Sequence, residues 1–239
     1  MAEARERAHA TTLGFWAAVA TAVSAAIALG LGVTTPPRSG PNCSSDCITA
    51  PYTDAAAFVP RDYLWVYAAS VMVLLFVVLV AGVHHAVADS HRVFSQVALS
   101  FAVIAAVAAV LDYAVQLAVL QPALLKGELD GLSLWSMYNP HGVFIALENA
   151  AYLLMAVSFV FLAAALPPVR GAVRAARIVL VAAGAIVVLS SVLLAVRYGQ
   201  DLDYRVEVLA IGVDWLALIV AGALLAVGFR KDVIAPAES

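Results

Sequence analysis

The chain has 239 residues, 64% of them hydrophobic and 12% charged, with a mean hydropathy of +0.97. A soluble domain carries about 25% charged residues, so a water-soluble globular fold is excluded and the lipid bilayer is the expected surroundings of most of the protein. A formal charge of −3 and an isoelectric point near 5.9 provide no basic patch suited to nucleic acid, which sets that class of partner aside.

Crossing the hydrocarbon layer as helix takes about 20 apolar residues. Runs of that kind fall at 13–33, 63–83, 94–120, 143–166, 178–196 and 206–229. They predict an all-α bundle of about six transmembrane helices forming a single membrane domain over 1–239. A β-barrel would need strands that alternate apolar and polar residues, and stretches such as 71–83 and 178–189 do not alternate. Each of the ten prolines lies at or beyond a predicted span end: Pro36, Pro37, Pro41, Pro51 and Pro60 in the first loop, Pro122 and Pro140 in the third, Pro167 and Pro168 in the fourth, Pro236 in the tail. No predicted helix is therefore interrupted by proline.

The first run follows Arg5 and Arg7, a pattern shared with signal peptides, but it is longer than a cleaved apolar core and is expected to stay as the first helix. Loop 34–62 contains both cysteines, Cys43 and Cys47, which an oxidising compartment would join as a short-range disulfide. The second run carries Tyr67 and Ser70 and begins with Tyr63 and Trp65, which read as interfacial anchors together with Trp16, Trp135 and Tyr138. After it come His84, His85, Asp89 and His91; imidazole and carboxylate are metal ligands, but the spacing matches no metal motif and the segment reads as a solvated interfacial loop.

Three carboxylic acids lie inside spans: Asp112 in the third, Glu148 in the fourth and Asp214 in the sixth. Such a group at the bilayer centre costs about 2.5–3.5 kcal/mol on insertion scales, so it normally faces the bundle interior or a wet cavity. At about 1.5 Å per residue all three fall roughly 9–12 Å below the same surface. Tyr113, Gln116, Asn149, Tyr152, Ser190, Ser191 and Trp215 fall near that layer. Asp112 with Gln116 and Glu148 with Tyr152 are spaced i, i+4, which predicts a same-face hydrogen-bonding neighbour for each acid. Just before the fourth span, Tyr138-Asn139-Pro140-His141-Gly142 either sets how that helix enters the membrane or lines the mouth of a pocket above Glu148.

Arg5, Arg7, Arg92, Arg170, Arg174, Arg177, Arg230 and Lys231 fall on the side of the termini, and Arg38, Arg61, Lys126, Arg197 and Arg205 on the other. Eight against five places both termini in the cytoplasm of a bacterial-type inner membrane. No Lys or Arg reaches the acidic layer; Arg61, Arg197 and Arg205 come nearest. Carboxyl groups in hydrocarbon without a countercharge are neutral, hydrated or holding something.

Three readings follow. In the first, the layer binds a small lipophilic or cationic ligand, with Asp112, Glu148 or Asp214 as proton donor and Tyr67, Tyr113, Gln116, His141, Asn149, Tyr152 and Trp215 as binding residues. In size and in its intramembrane acids the chain resembles small integral-membrane terpene cyclases, which implies general-acid chemistry on a terpenoid-like substrate; the resemblance includes no shared motif. In the second, the acids bind a proton or cation in transport. In the third, they only hydrogen-bond between helices. No cofactor is expected: the chain contains no Walker loop, no G-x-G-x-x-G turn and no embedded histidine for haem, and no metal site is expected.

Overall fold

A computed structural model describes residues 2–231 and 233–234. Pro236 and the side chains of Arg5 and Arg7 lie outside the described residues. The chain is 79% helical, without strands among the described residues, and six helices are long and apolar enough to span a membrane. They are α1 (Ala2–Val33), α2 (Leu64–Ala86), α3 (Arg92–Val115), α4 (Val143–Ala165), α5 (Ala172–Tyr198) and α6 (Arg205–Arg230). Outward faces carry aliphatic side chains such as Val71, Val107, Ile178, Leu189 and Leu193. A surface of that kind is stable against hydrocarbon, not water.

One predicted boundary is corrected. The third helix does not stop at 120: it passes through a π turn, Gln116–Leu120, and continues as Gln121–Lys126, so Pro122 lies within a helical segment. Proline has no N–H for the ladder and its ring crowds the carbonyl four residues back. The helix passes it by widening, with the Gln121 N–H bonded to the Gln116 carbonyl across five residues.

Each helix packs on the next in sequence, α1 also packs on α6, and α4 reaches across to α6. The result is a closed ring. Small residues set its close crossings. A Cβ on Gly82 would lie 2.9 Å from the Gly14 Cα, joining α2 to α1; one on Gly222 would lie 2.9 Å from the Ala18 carbonyl oxygen, joining α6 to α1. At the α4–α5 crossing a Cβ on Gly184 would stand 2.7 Å from the Ala156 carbonyl oxygen and 2.6 Å from Val160 Cγ2. Close backbone approach of this kind is how helices gain dispersion energy in lipid. Gly184→Ala is therefore expected to destabilise by about 1–2 kcal/mol through overpacking, read as a lower unfolding midpoint in detergent, whereas Gly30→Ala, whose Cβ would meet nothing within 4 Å, is expected not to lower it, alanine being the better helix former; equal midpoints for the two would refute this account of the crossing.

The end of the bundle opposite the termini is closed by three segments, 34–63, 127–142 and 199–204. Ser39 Oγ donates to the Tyr138 carbonyl at 2.6 Å and accepts from the Tyr204 hydroxyl at 2.6 Å, so one residue ties all three together. Burial holds the phenols of Tyr138 and Tyr204 well above the usual tyrosine range, so both stay hydrogen-bond donors. Cys43 and Cys47 sit at disulfide distance in the first of these segments, with Cα atoms 5.9 Å apart.

Candidate functional site

Beneath this cap, three helices bring a directed chain of hydrogen bonds together. Tyr113 near the end of α3 faces Glu148, one turn into α4, because α3 and α4 pack along a buried alanine stripe of Ala98, Ala102, Ala105 and Ala109. The Tyr113 hydroxyl donates to Glu148 Oε1 at 2.8 Å. Its single proton is then spent, so in the 2.8 Å contact with Tyr152 it accepts. Tyr152 in turn accepts from Trp215 Nε1 of α6 at 2.8 Å. An indole N–H only donates, so the whole run has one polarity, from Trp215 through Tyr152 and Tyr113 to Glu148.

The other oxygen of Glu148, Oε2, is buried without a donor, and so is Oε2 of Glu207 in the first turn of α6. The two carboxyl groups lie within hydrogen-bonding range of each other. Neither has a proton to give if both are ionised; one proton held between them satisfies both. Asp112, buried beside Tyr113, adds its field to both acids, and its Oδ2 also has no partner. Among the described residues no Lys, Arg or His forms an ion pair with Asp112, Glu148 or Glu207.

Glu207 forms part of the wall of a cavity of about 570 Å³ between α1, α6 and the cap. Trp65, Phe144 and Trp215 contribute an aromatic wall, with Trp65 tilted against Trp215 at 5.9 Å and edge-on to Phe144 at 6.4 Å between ring centroids. Leu29 and Val33 of α1 face Val208, Ile211 and Gly212 of α6 around the same space. Val33 and Val208 are exposed on the outside of the bundle, so this side of the cavity adjoins the lipid-facing surface. On the cap side the lining includes Arg38, a loop residue that is only 7% exposed. Its Nε bonds Asp62 Oδ2 at 3.0 Å, Nη1 lies 3.5 Å from Asp46, and its guanidinium covers the Phe58 ring at 3.8 Å.

The expected acids divide. Asp112 and Glu148 share a site, whereas Asp214, fully buried one residue before Trp215, has no hydrogen-bond partner on either oxygen and meets the chain only through its charge on Tyr152. The i, i+4 pairings are also corrected. Gln116 donates to the Trp135 carbonyl at 2.7 Å rather than to Asp112, because the π turn carries it toward the cap. Tyr152 bonds Tyr113 and Trp215 rather than Glu148.

Tyr67 is exposed on the outside of the bundle. His141 is exposed and lies 3.5 Å from Asp203, while Asn149 is half-buried with Oδ1 unpaired. Ser190 and Ser191 bond carbonyls of their own helix, and His84 Nδ1 bonds Ser95 Oγ at 2.8 Å. In the 138–142 segment, Asn139 Oδ1 accepts the His141 N–H at 3.0 Å and its amide donates to the Ser133 carbonyl at 3.0 Å, which shapes the entry to α4, while Tyr138 lines the cavity.

Glu207 and Arg38 escape a reading of the sequence alone. Glu207 stands at a span end and counts there as an ordinary surface charge. One signal does mark it: Glu207, Ile211 and Trp215 recur at four-residue spacing on one face of α6, and all three line the cavity. Arg38 has no such local mark. No family model, curated protein or solved structure matches the chain.

Proposed function

We propose that the protein binds a lipophilic molecule in the cavity under the cap, and that the Glu148–Glu207 pair holds a proton at the cavity wall that can pass to or from the bound molecule. One observation carries this reading: a carboxyl group on the wall of an aromatic cavity, ion-paired to no Lys, Arg or His among the described residues, is joined to a second carboxyl group that a tyrosine chain holds in place. With Tyr113 donating to Glu148 Oε1, the shared proton is free to reside on the Glu207 side, where a ligand can reach it. In the catalytic form of this reading, Glu207 protonates an electron-rich carbon or oxygen of a terpenoid-like substrate. Positive charge that develops on the substrate then lies against the faces of Trp65, Phe144 and Trp215. The orientation that accompanies this reading puts both termini in the cytoplasm of a bacterial-type inner membrane, supported by the eight-to-five distribution of Lys and Arg and by the cysteine pair in the opposite cap.

Gly212 supplies the test. It lines the cavity, and a Cβ added there meets nothing within 4 Å. Gly212→Leu should fill the cavity without disturbing the helix, since leucine is the better helix former by about 1 kcal/mol. With the protein in lipid nanodiscs and farnesol as a neutral lipophilic probe, wild type is expected to show a saturable change in tryptophan emission that Gly212→Leu loses at an unfolding midpoint no lower than that of wild type. The same saturable change in both proteins would reject the cavity as the binding site.

A further inference from the structure

We infer that the molecule the cavity is built to take is an amphiphilic organic cation, an amine or quaternary ammonium on an apolar body, and that it binds in exchange for the proton held by Glu148 and Glu207. This inference rests on the cavity reading and adds the charge of the ligand to it.

The two charged ends of the site differ in what they can still bind. Arg38 is the one basic residue of the cavity lining, and its charge is already met by Asp62 at 3.0 Å and Asp46 at 3.5 Å, with Phe58 covering its face. An anionic head would find that cation neutralised and would add to the field of Asp112, Glu148 and Glu207. For a cation the balance reverses. Glu207 on the wall and Glu148 behind it each hold a buried oxygen with no donor, and Glu148 is fully buried. Trp65, Phe144 and Trp215 face the same space, and aromatic faces attract organic cations, most strongly where water is excluded. The apolar body has its own place along Leu29, Val33, Val208 and Ile211, on the side next to lipid.

The exchange balances simply. The carboxyl pair with one proton plus a cation gives the carboxylate pair holding the cation plus one proton released to water. No bond to carbon forms or breaks. Lower proton activity therefore drives binding, and affinity for a cation of fixed charge rises with pH, approaching about tenfold per pH unit where one full proton is exchanged. The groups that face Glu207 are Glu148 from α4, Asp112 from α3 and Tyr204 ahead of α6, while Arg38, paired with Asp62, lines the same cavity. Only the carboxyl pair is arranged to exchange a proton with the ligand.

The experiment compares three probes with an eight-carbon chain on nanodisc-embedded protein by tryptophan emission, with Gly212→Leu as the background for partition into lipid. They are octyltrimethylammonium, 1-octanol and octyl sulfate. Octyltrimethylammonium is expected to bind above background and more tightly as pH rises, with proton release seen by an indicator dye in weakly buffered medium. Glu207→Gln is expected to weaken that binding about tenfold or more and to flatten its pH dependence. Wild type alone decides the case if the variant does not fold, because proton release needs no substitution. Saturable binding of octanol together with no preference for the cation, or cation binding without proton release, overturns the cation inference and leaves the cavity reading standing. No binding of any probe above background overturns both.

Discussion

Asp62→Ala is expected to destabilise the protein by about 3–5 kcal/mol, the usual cost of removing one member of a buried ion pair. Asp62 is fully buried, and Arg38 is nearly so; the Arg38 Nε bonds Asp62 Oδ2 at 3.0 Å, and the Tyr138 hydroxyl approaches the same oxygen at 3.4 Å. Without the carboxylate, a guanidinium that can shed neither its charge nor its place over Phe58 is left with only the more distant Asp46, whose side chain is 73% exposed. The residue also anchors the cap, since the next residue, Ser39, ties the loop to Tyr138 and Tyr204. Thermal unfolding in detergent is the measurement. The paired variant Arg38→Met with Asp62→Leu replaces both charges by apolar groups and is expected to recover most of the loss. If Asp62→Ala unfolds within about 0.5 kcal/mol of wild type, a range typical of surface substitutions, the cap does not depend on this pair.

Tyr113→Phe is expected to cost about 2–3 kcal/mol, because one hydroxyl serves two neighbours and a buried group left without its partner carries its full desolvation penalty. The ring is kept, and with it the edge-on contact to Trp65 at 5.8 Å. Lost are the bond to Glu148 Oε1 and the acceptor for Tyr152, both at 2.8 Å. Glu148 would then have Glu207 as its only close polar partner, and the proton between them would no longer be biased toward the cavity side. Combining Tyr113→Phe with Glu148→Gln separates this role from simple packing. Groups in one hydrogen-bonded chain are non-additive by about 0.5–3 kcal/mol, so the double variant should be less destabilised than the sum of the single ones. Additive losses would mean that the tyrosine and the acid act independently and that the chain from Trp215 to Glu148 is not a unit.

Six helices are legible in the amino-acid sequence because the free energy of placing a segment in hydrocarbon is a sum over its own residues. The same locality makes Asp112 and Glu148 conspicuous, and it makes the approach of Cys43 to Cys47 foreseeable from four residues of separation. Pro122 is helical against expectation for a related reason: proline is costly in a regular α-helix, but a single π turn accommodates it.

Tertiary structure decided everything that depends on how a helix is rotated and which helix stands beside it. Rotation is selected where small residues let backbones touch, at Gly14 and Gly82, at Ala18 and Gly222, and at Ala156 and Gly184. Those contacts turn Glu207 toward Glu148 and leave Asp214 without a hydrogen bond to the carboxyl pair, although hydropathy marks Asp214 as buried and Glu207 as a surface residue. They also leave a cavity to whose lining the first loop contributes Arg38. Burial in lipid is a property of one segment and can be summed along the chain; the meeting of two carboxyl groups is a property of two helices, set by packing that neither helix encodes alone.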